Sequence, residues 1–261
     1  MENTQKHEIH ITLRSPVGKA VYQEIVAILD EVDSIMERDP AATSRGEVIL
    51  LYSGFHALIM HRLAHRMQEK GWTISARALS QFAKFLTGIE IHPAAQIGKG
   101  LFIDHGSGVV IGETTIIGEN CTLYQGVTLG GTGKQTGKRH PTLGDNVMVG
   151  AGAKLLGNFT VGSNSKIAAG AVVLSDVPEN ATAVGVPARI ARLNNKKVAA
   201  EEEPEKTAKK KKYTSDLDQV NIPDPYDYDI LALRKRIAQL EEKLGVEPVE
   251  EESVWIDGMG I

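Results

Sequence analysis

Four short stretches of the 261-residue sequence carry side chains able to move protons or hold charge. They are Glu90-Ile-His92-Pro, Asp104-His105, Arg139-His140-Pro and Arg38-Asp39-Pro-Ala. A histidine accepts a proton near neutral pH, which makes His105 a candidate general base. A carboxylate on its other ring nitrogen would fix the tautomer and support the imidazolium that forms. Glu90, 15 residues earlier, is a candidate for that partner. Arg139 offers a fixed fork for a carboxylate, and His140 offers a donor for a developing oxyanion. Each has a plainer reading beside it: a solvated surface histidine, or an exposed basic loop shared with Lys134 and Lys138. His61 and His65, one helical turn apart, have a zinc-capable spacing. The glutamate of a His-Glu-x-x-His site is absent and no third ligand is evident, so the reading there is packing or exposure, with no metal. Cys121 is the single cysteine; it excludes a disulfide framework and reads as a small packing residue.

The elements that must hold these groups show three different periods. Over 16–88 the apolar spacing is helical. Val21, Ile25, Ile28, Leu29 and Val32 form one stripe, and Leu51, Phe55, Leu58, Ile59, Leu63 and Met67 a second, with Gly71 where a C-cap belongs. A third helical stretch covers 75–86. From Ile91 the period becomes six. Ile91, Ile97, Ile103 and Val109 are followed, after a slip of two, by Ile111, Ile117, Leu123 and Leu129. After a longer break come Leu143, Val149, Leu155, Val161, Ile167 and Val173. Neither a helix nor a plain strand repeats every six residues; a parallel β-helix does, with three rungs closing one coil. Fourteen such positions give between four and five coils. The break between Leu129 and Leu143 holds eight residues more than a rung needs. It is Gly-rich and basic, so it must leave the stack as a loop. A solenoid has no deep pocket of its own, so polar residues that interrupt the repeat are the candidates for function, in grooves where parallel copies meet.

Composition narrows the class. Net charge is −4, which argues against a general nucleic-acid binder. No apolar run reaches the ~18 residues of a membrane span, and the N-terminus has no signal-peptide core. The expectation is a cytoplasmic protein. Beyond Asn194 the sequence turns low in complexity and charge-segregated, the composition of a disordered linker. Then Ile230, Leu233, Ile237, Leu240 and Leu244 form a two-heptad stripe ending at Gly245. That helix could associate with its own copies or cover part of the solenoid. The chain therefore reads as α+β. A helical domain (1–89) precedes a hexapeptide-repeat domain (90–193), a flexible linker (194–228), a short helix (229–245) and a tail (246–261).

Taken together, Ile91-His92-Pro-Ala-Ala, Ile103-Asp104-His105-Gly, Gly126-Val-Thr-Leu-Gly-Gly-Thr-Gly-Lys134, Lys138-Arg139-His140-Pro141, Gly150-Ala-Gly-Ala-Lys154 and Gly185-Val-Pro-Ala-Arg189 resemble the serine O-acetyltransferase family. The likeness spans 38–189. It implies a left-handed β-helix, against the usual crossover hand, and direct acetyl transfer from acetyl-CoA to the hydroxyl of L-serine, for cysteine synthesis. It implies His105 as base, Glu90 as its partner in place of the commoner Asp, and His140 at the tetrahedral intermediate. Arg139 would hold the serine carboxylate, and Asp39 and Asp104 its ammonium. Coenzyme A would lie between chains against Gly131, Thr132, Ala151, Gly152 and Lys166, with no permanently bound cofactor. The resemblance also implies inhibition by cysteine and a homotrimer, or a dimer of trimers in members with a longer helical zone. It further implies docking of the terminal Ile261 into O-acetylserine sulfhydrylase. The linker and heptad helix are not usual in the family. Two other readings stay open: acetyl transfer to another small acceptor, and a non-catalytic scaffold for the sulfhydrylase.

Overall fold

The computed structural model describes residues 16–132, 136–194 and 196–197, together with eight positions between 230 and 243. Four helices come first: α1 (Pro16–Arg38), α2 (Arg45–Leu51), α3 (Ser53–Glu69) and α4 (Thr73–Thr87). Their ends follow from local chemistry. The Ser44 side chain accepts from the Glu47 amide and opens α2. Gly71 (φ 80°) follows the C-cap of α3, and Gly88 (φ 72°) is itself the C-cap of α4; both sit in the left-handed region where glycine is favoured. The apolar stripe of α1 is used unevenly. Val32 and Ile35 are buried, with Val48, Phe55 and Phe102, whereas Tyr22, Ile25 and Leu29 remain exposed.

From Glu90 the chain winds as a left-handed parallel β-helix with three faces. The first face stacks strands Glu90–Ile91, Val110–Ile111, Thr128–Gly130, Lys154–Leu156 and Val172–Val173. The second stacks Gln96–Ile97, Ile116–Ile117, Thr142–Leu143 and Thr160–Val161. The third stacks Phe102–Ile103, Thr122–Leu123, Met148–Val149, Lys166–Ile167 and Ala181–Gly185. Parallel register aligns Ile91, Ile111, Leu129, Leu155 and Val173 on one face. It aligns Ile97, Ile117, Leu143 and Val161 on the next, and Ile103, Leu123, Val149 and Ile167 on the last. These are the ladders expected from the six-residue spacing, with one correction. Val109 is buried but is not a rung residue, because Ile111 is the partner of Ile91. Each rung has a second inward position two residues before the first, filled by Ile89, Ala95, Leu101, Val109, Cys121 and Val127, and Val109 belongs to that set.

Both ends of the stack are closed. At the base, helix side chains take up the carbonyls of the first coil. Ser80 Oγ donates to Ile91 O at 2.7 Å, and Arg62 donates to Ile97 O at 2.5 Å and Gly98 O at 2.7 Å. Gly54 of α3 lies so close to the Ile103 carbonyl that no side chain would fit between them. At the other end the strand Ala188–Leu193 runs antiparallel to Ala181–Gly185 and reverses the stack. No described helix is long and apolar enough to cross a membrane. The expected linker, apart from Asn194, Lys196 and Lys197, and the tail with Ile261 lie outside the described residues. Ile230, Leu233, Arg234, Arg236, Ile237, Gln239, Leu240 and Lys243 are helical, as the heptad spacing predicts.

Candidate active site

The slip in the repeat has a location. Backbone hydrogen bonds pair Asp104 N with Leu123 O, and Gly126 N with Ser107 O. Asp104 therefore stacks under Tyr124, and Ser107-Gly108 under Gln125-Gly126. His105 and Gly106 are the two surplus residues, pushed out at the corner between the third and first faces. Their backbone is unusual: His105 has φ 56°, Gly106 φ 70°, and Gly106 N bonds back to Asp104 O at 2.6 Å. A left-handed φ at a histidine is sterically disfavoured and persists only where the surrounding structure enforces it. The His105 ring is exposed, its Nε2 3.9 Å from Asp104 Oδ1. Ser53 Oγ donates to the His105 carbonyl at 3.4 Å, tying α3 to this corner.

Asp39 arrives at the same corner from the end of α1, and Arg38 is what holds it there. The buried Arg38 guanidinium donates to Gly100 O (2.6 Å), Ser34 Oγ (2.7 Å) and Cys121 O (3.1 Å), and lies over the Phe102 ring. Asp39 is then fixed through both oxygens. Ala41 N donates to Oδ1 at 2.8 Å and Tyr52 Oη donates to Oδ2 at 2.7 Å. Burial raises Asp104 above the usual carboxylate range; His105 opposes this and the Asp39 carboxylate adds to it. Burial and the Asp39 hydrogen bond push the Tyr52 phenol up as well, so it stays a donor. The corner is a pair of carboxylates beside an imidazole.

Glu90 flanks this corner. Its amide donates to Val109 O, and Gly88 O accepts from Gly108 N. Its carboxylate, however, accepts from Lys84 Nζ of α4 at 2.6 Å, which holds it below the ordinary glutamate range. The register sets Glu90 opposite Val110 at the start of the first face, beside the corner that carries His105, with the carboxylate engaged by Lys84.

Arg139 and His140 stand at the next corner, between the first and second faces, where the ejected loop re-enters the coil. Thr114 organises them. Its Oγ1 accepts from the amides of Arg139 (3.0 Å) and His140 (3.2 Å), while its own amide donates to His140 Nδ1 at 3.2 Å. A backbone N–H can only donate, so the neutral ring carries its proton on Nε2 and presents it as a donor. Burial, with the Arg139 charge, lowers the His140 pKa and keeps the ring neutral. Arg139 forms an ion pair with Glu113, which lowers that carboxylate. The His140 side chain is packed against Gly112 and Gly131, with no room for a Cβ at Gly112.

Two groups of opposite character thus edge the first face: acidic with an imidazole at one corner, cationic with an N–H donor at the other. Between Gly108 and Gly112 the backbone runs four residues, roughly 13 Å at strand rise. No hydrogen bond or ion pair among the described residues joins His105 to His140. The expected coenzyme A residues divide in the same way. Gly131 and Thr132 are at the cationic corner, Ala151 and Gly152 are on the His105 edge two coils on, and Lys166 is on the third face. Sequence reasoning missed Tyr52, Glu113 and Thr114. None falls on a repeat position that would mark it, although Glu113 and Thr114 directly follow the Gly that closes a rung.

The bacterial transferase hexapeptide family (six repeats) matches residues 140–175. The serine acetyltransferase of Bacillus licheniformis is 49% identical over 223 residues, covering 85% of this chain and 96% of that one. Among solved structures, the serine acetyltransferase of Brucella abortus in complex with coenzyme A is 45% identical with a TM-score of 0.64, covering 66% of this chain and 69% of that one. The Neisseria gonorrhoeae serine acetyltransferase in complex with serine is 42% identical with a TM-score of 0.62, covering 69% and 78%. Identity at this level across nearly the full length of a relative means that the chain belongs to the serine acetyltransferase family.

Proposed function

We propose that the active site of this chain is completed between neighbouring copies, the His105 corner of one facing the Arg139–His140 corner of the next. The chain is an acetyltransferase that moves the acetyl group of acetyl-CoA to the hydroxyl of L-serine. Serine is a zwitterion a few ångströms long, too short to span the two corners of one first face. Side-by-side prisms remove that gap. Asp39 and Asp104 then hold the ammonium and Arg139 the carboxylate, with Arg139 sharing its fork between substrate and Glu113. His105 removes the hydroxyl proton, and the oxygen attacks the thioester carbonyl carbon. The tetrahedral oxyanion accepts from His140 Nε2–H. Collapse breaks the C–S bond, and the departing thiolate takes the proton from the His105 imidazolium. Glu90 steadies that imidazolium by exchanging Lys84 for His105. Coenzyme A lies in the groove against Gly131, Thr132, Ala151, Gly152 and Lys166. Three copies around one axis give three such grooves. Ile261 docks the sulfhydrylase that consumes O-acetylserine, and deletion of residues 257–261 is expected to abolish capture of that enzyme while sparing acetyl transfer.

The observation that carries the reading is the opposite charge of the two corners on one face. Its test is mixing. His105→Ala and His140→Ala chains are each expected to lose at least ~10²-fold in serine-dependent coenzyme A release, the scale of a lost acid–base group. Refolded together, they regain activity, because some grooves then hold one intact corner from each chain. Two dead variants that stay dead when co-assembled would defeat the shared site.

A further inference from the structure

The described residues Ile230, Leu233, Ile237 and Leu240 are helical and 47–62% exposed. Steps of three and four put them on one side of the helix, with nothing among the described residues covering it. Ile230 and Ile237 occupy a positions and Leu233 and Leu240 d positions, with Leu244 the next a in sequence. The same register assigns Asp229, Arg236 and Lys243 to g, and Arg234 and Glu241 to e. In a parallel pair, each g residue faces the e residue five places on in the neighbour. Those pairs are Asp229 with Arg234 and Arg236 with Glu241, both of opposite sign. In an antiparallel pair centred on Arg236, Asp229 would meet Lys243 at the ends but Arg236 would face Arg236 of the other helix. The charges therefore match copies of this helix to one another and favour the parallel orientation.

We propose that the helix carrying Ile230, Leu233, Ile237 and Leu240 is an assembly element, pairing in parallel with the same helix of neighbouring copies. Two heptads are marginal alone. In sequence, 32 residues (198–229) join the last described strand to Ile230. Being joined to one assembly, the helices of its copies meet at a far higher effective concentration than free helices would. Pairing then adds a contact between copies that the solenoid does not supply.

The test uses the full-length chain with Ile237→Cys, an a position, against Lys235→Cys, which the heptad register assigns to f. The native Cys121 is buried and serves both equally. Under mild oxidation, followed by alkylation and a non-reducing gel, Ile237→Cys is expected to form interchain disulfides at least ten-fold faster than Lys235→Cys. Arg236→Glu added to Ile237→Cys slows that rate at least five-fold, and Arg236→Glu with Glu241→Arg restores it. Equal rates at 237 and 235, as docking on the chain's own solenoid or on a different protein would give, overturn the proposal. So does indifference to Arg236→Glu.

Discussion

Gly112→Ala isolates the contribution of His140 without touching any group that meets substrate. Gly112 is absent from the positive-φ positions, so alanine is compatible with its backbone. The added Cβ would stand 2.9 Å from His140 Cγ, with Cδ2 and Nε2 nearer still. Ordinary carbon contacts begin near ~3.5 Å, so the ring must retreat by about 1 Å or more. It cannot swing freely, because Thr114 holds Nδ1 and Gly131 stands close to Nε2. A displacement of about 1 Å at a reacting group costs on the order of 10²-fold, close to 3 kcal/mol in the barrier. Overpacking of this kind costs ~1–3 kcal/mol of stability, well short of unfolding a typical domain. The assay is steady-state release of coenzyme A with L-serine, with thermal unfolding run in parallel. The expected result is kcat down about 100-fold in a chain that still folds. Wild-type kcat in a folded Gly112→Ala chain would refute the placement of His140 at the oxyanion.

Two further outcomes follow from a half-buried phenol and a buried imidazole. Tyr52→Phe removes only the hydroxyl that donates to Asp39 Oδ2; KM for serine is expected to rise about 5- to 20-fold, the ~1–2 kcal/mol of a charge-assisted hydrogen bond, with KM for acetyl-CoA unchanged, and equal changes in both would remove Tyr52 from the ammonium end of the site. Burial holds the His61 pKa down to about 3, while in the unfolded chain it lies near the ordinary 6.5. The unfolded state therefore binds the proton first, so stability is full above about 6.5 and drains as pH falls toward 3. At pH 5 the loss from this residue is about 2 kcal/mol, and a Tm that drops as steeply between pH 7 and 5 in His61→Leu as in the parent would contradict it.

How much of this was legible in the sequence depended on whether a residue obeyed the repeat. The inward aliphatics did, and the three ladders and the ejected loop could be read from spacing alone. Val109 was misassigned because each rung buries two positions, and an aliphatic side chain fits either one. That moved the two-residue slip to the wrong side of Val109. Once register places it at His105-Gly106, the break in the repeat and the candidate base become the same feature. The helical spacing of α1 was right, yet it could not say that Ile25 and Leu29 would stay open while Val32 and Ile35 packed on the solenoid. Tyr52, Arg38 and Thr114 act through contacts between residues far apart in the chain: Arg38 reaches Cys121 and Thr114 reaches His140. No period encodes such contacts. Glu90 was found by type, but its engagement with Lys84 arises from the way α4 meets the first coil.

The closed ends of the solenoid have a consequence for its behaviour as a material. Stacked parallel strands with bare edges form a template onto which another chain can add, as in fibrils. Here the lower edge is plugged by a serine and an arginine from the helices, and the third face is turned back at its upper edge by two antiparallel strands, Ala188–Leu193 and Lys196–Lys197. The molecule therefore offers fewer bare edges for another chain to add to. Its coil number is fixed like the graduations of a ruler, and that length sets how long a ligand can lie along its side.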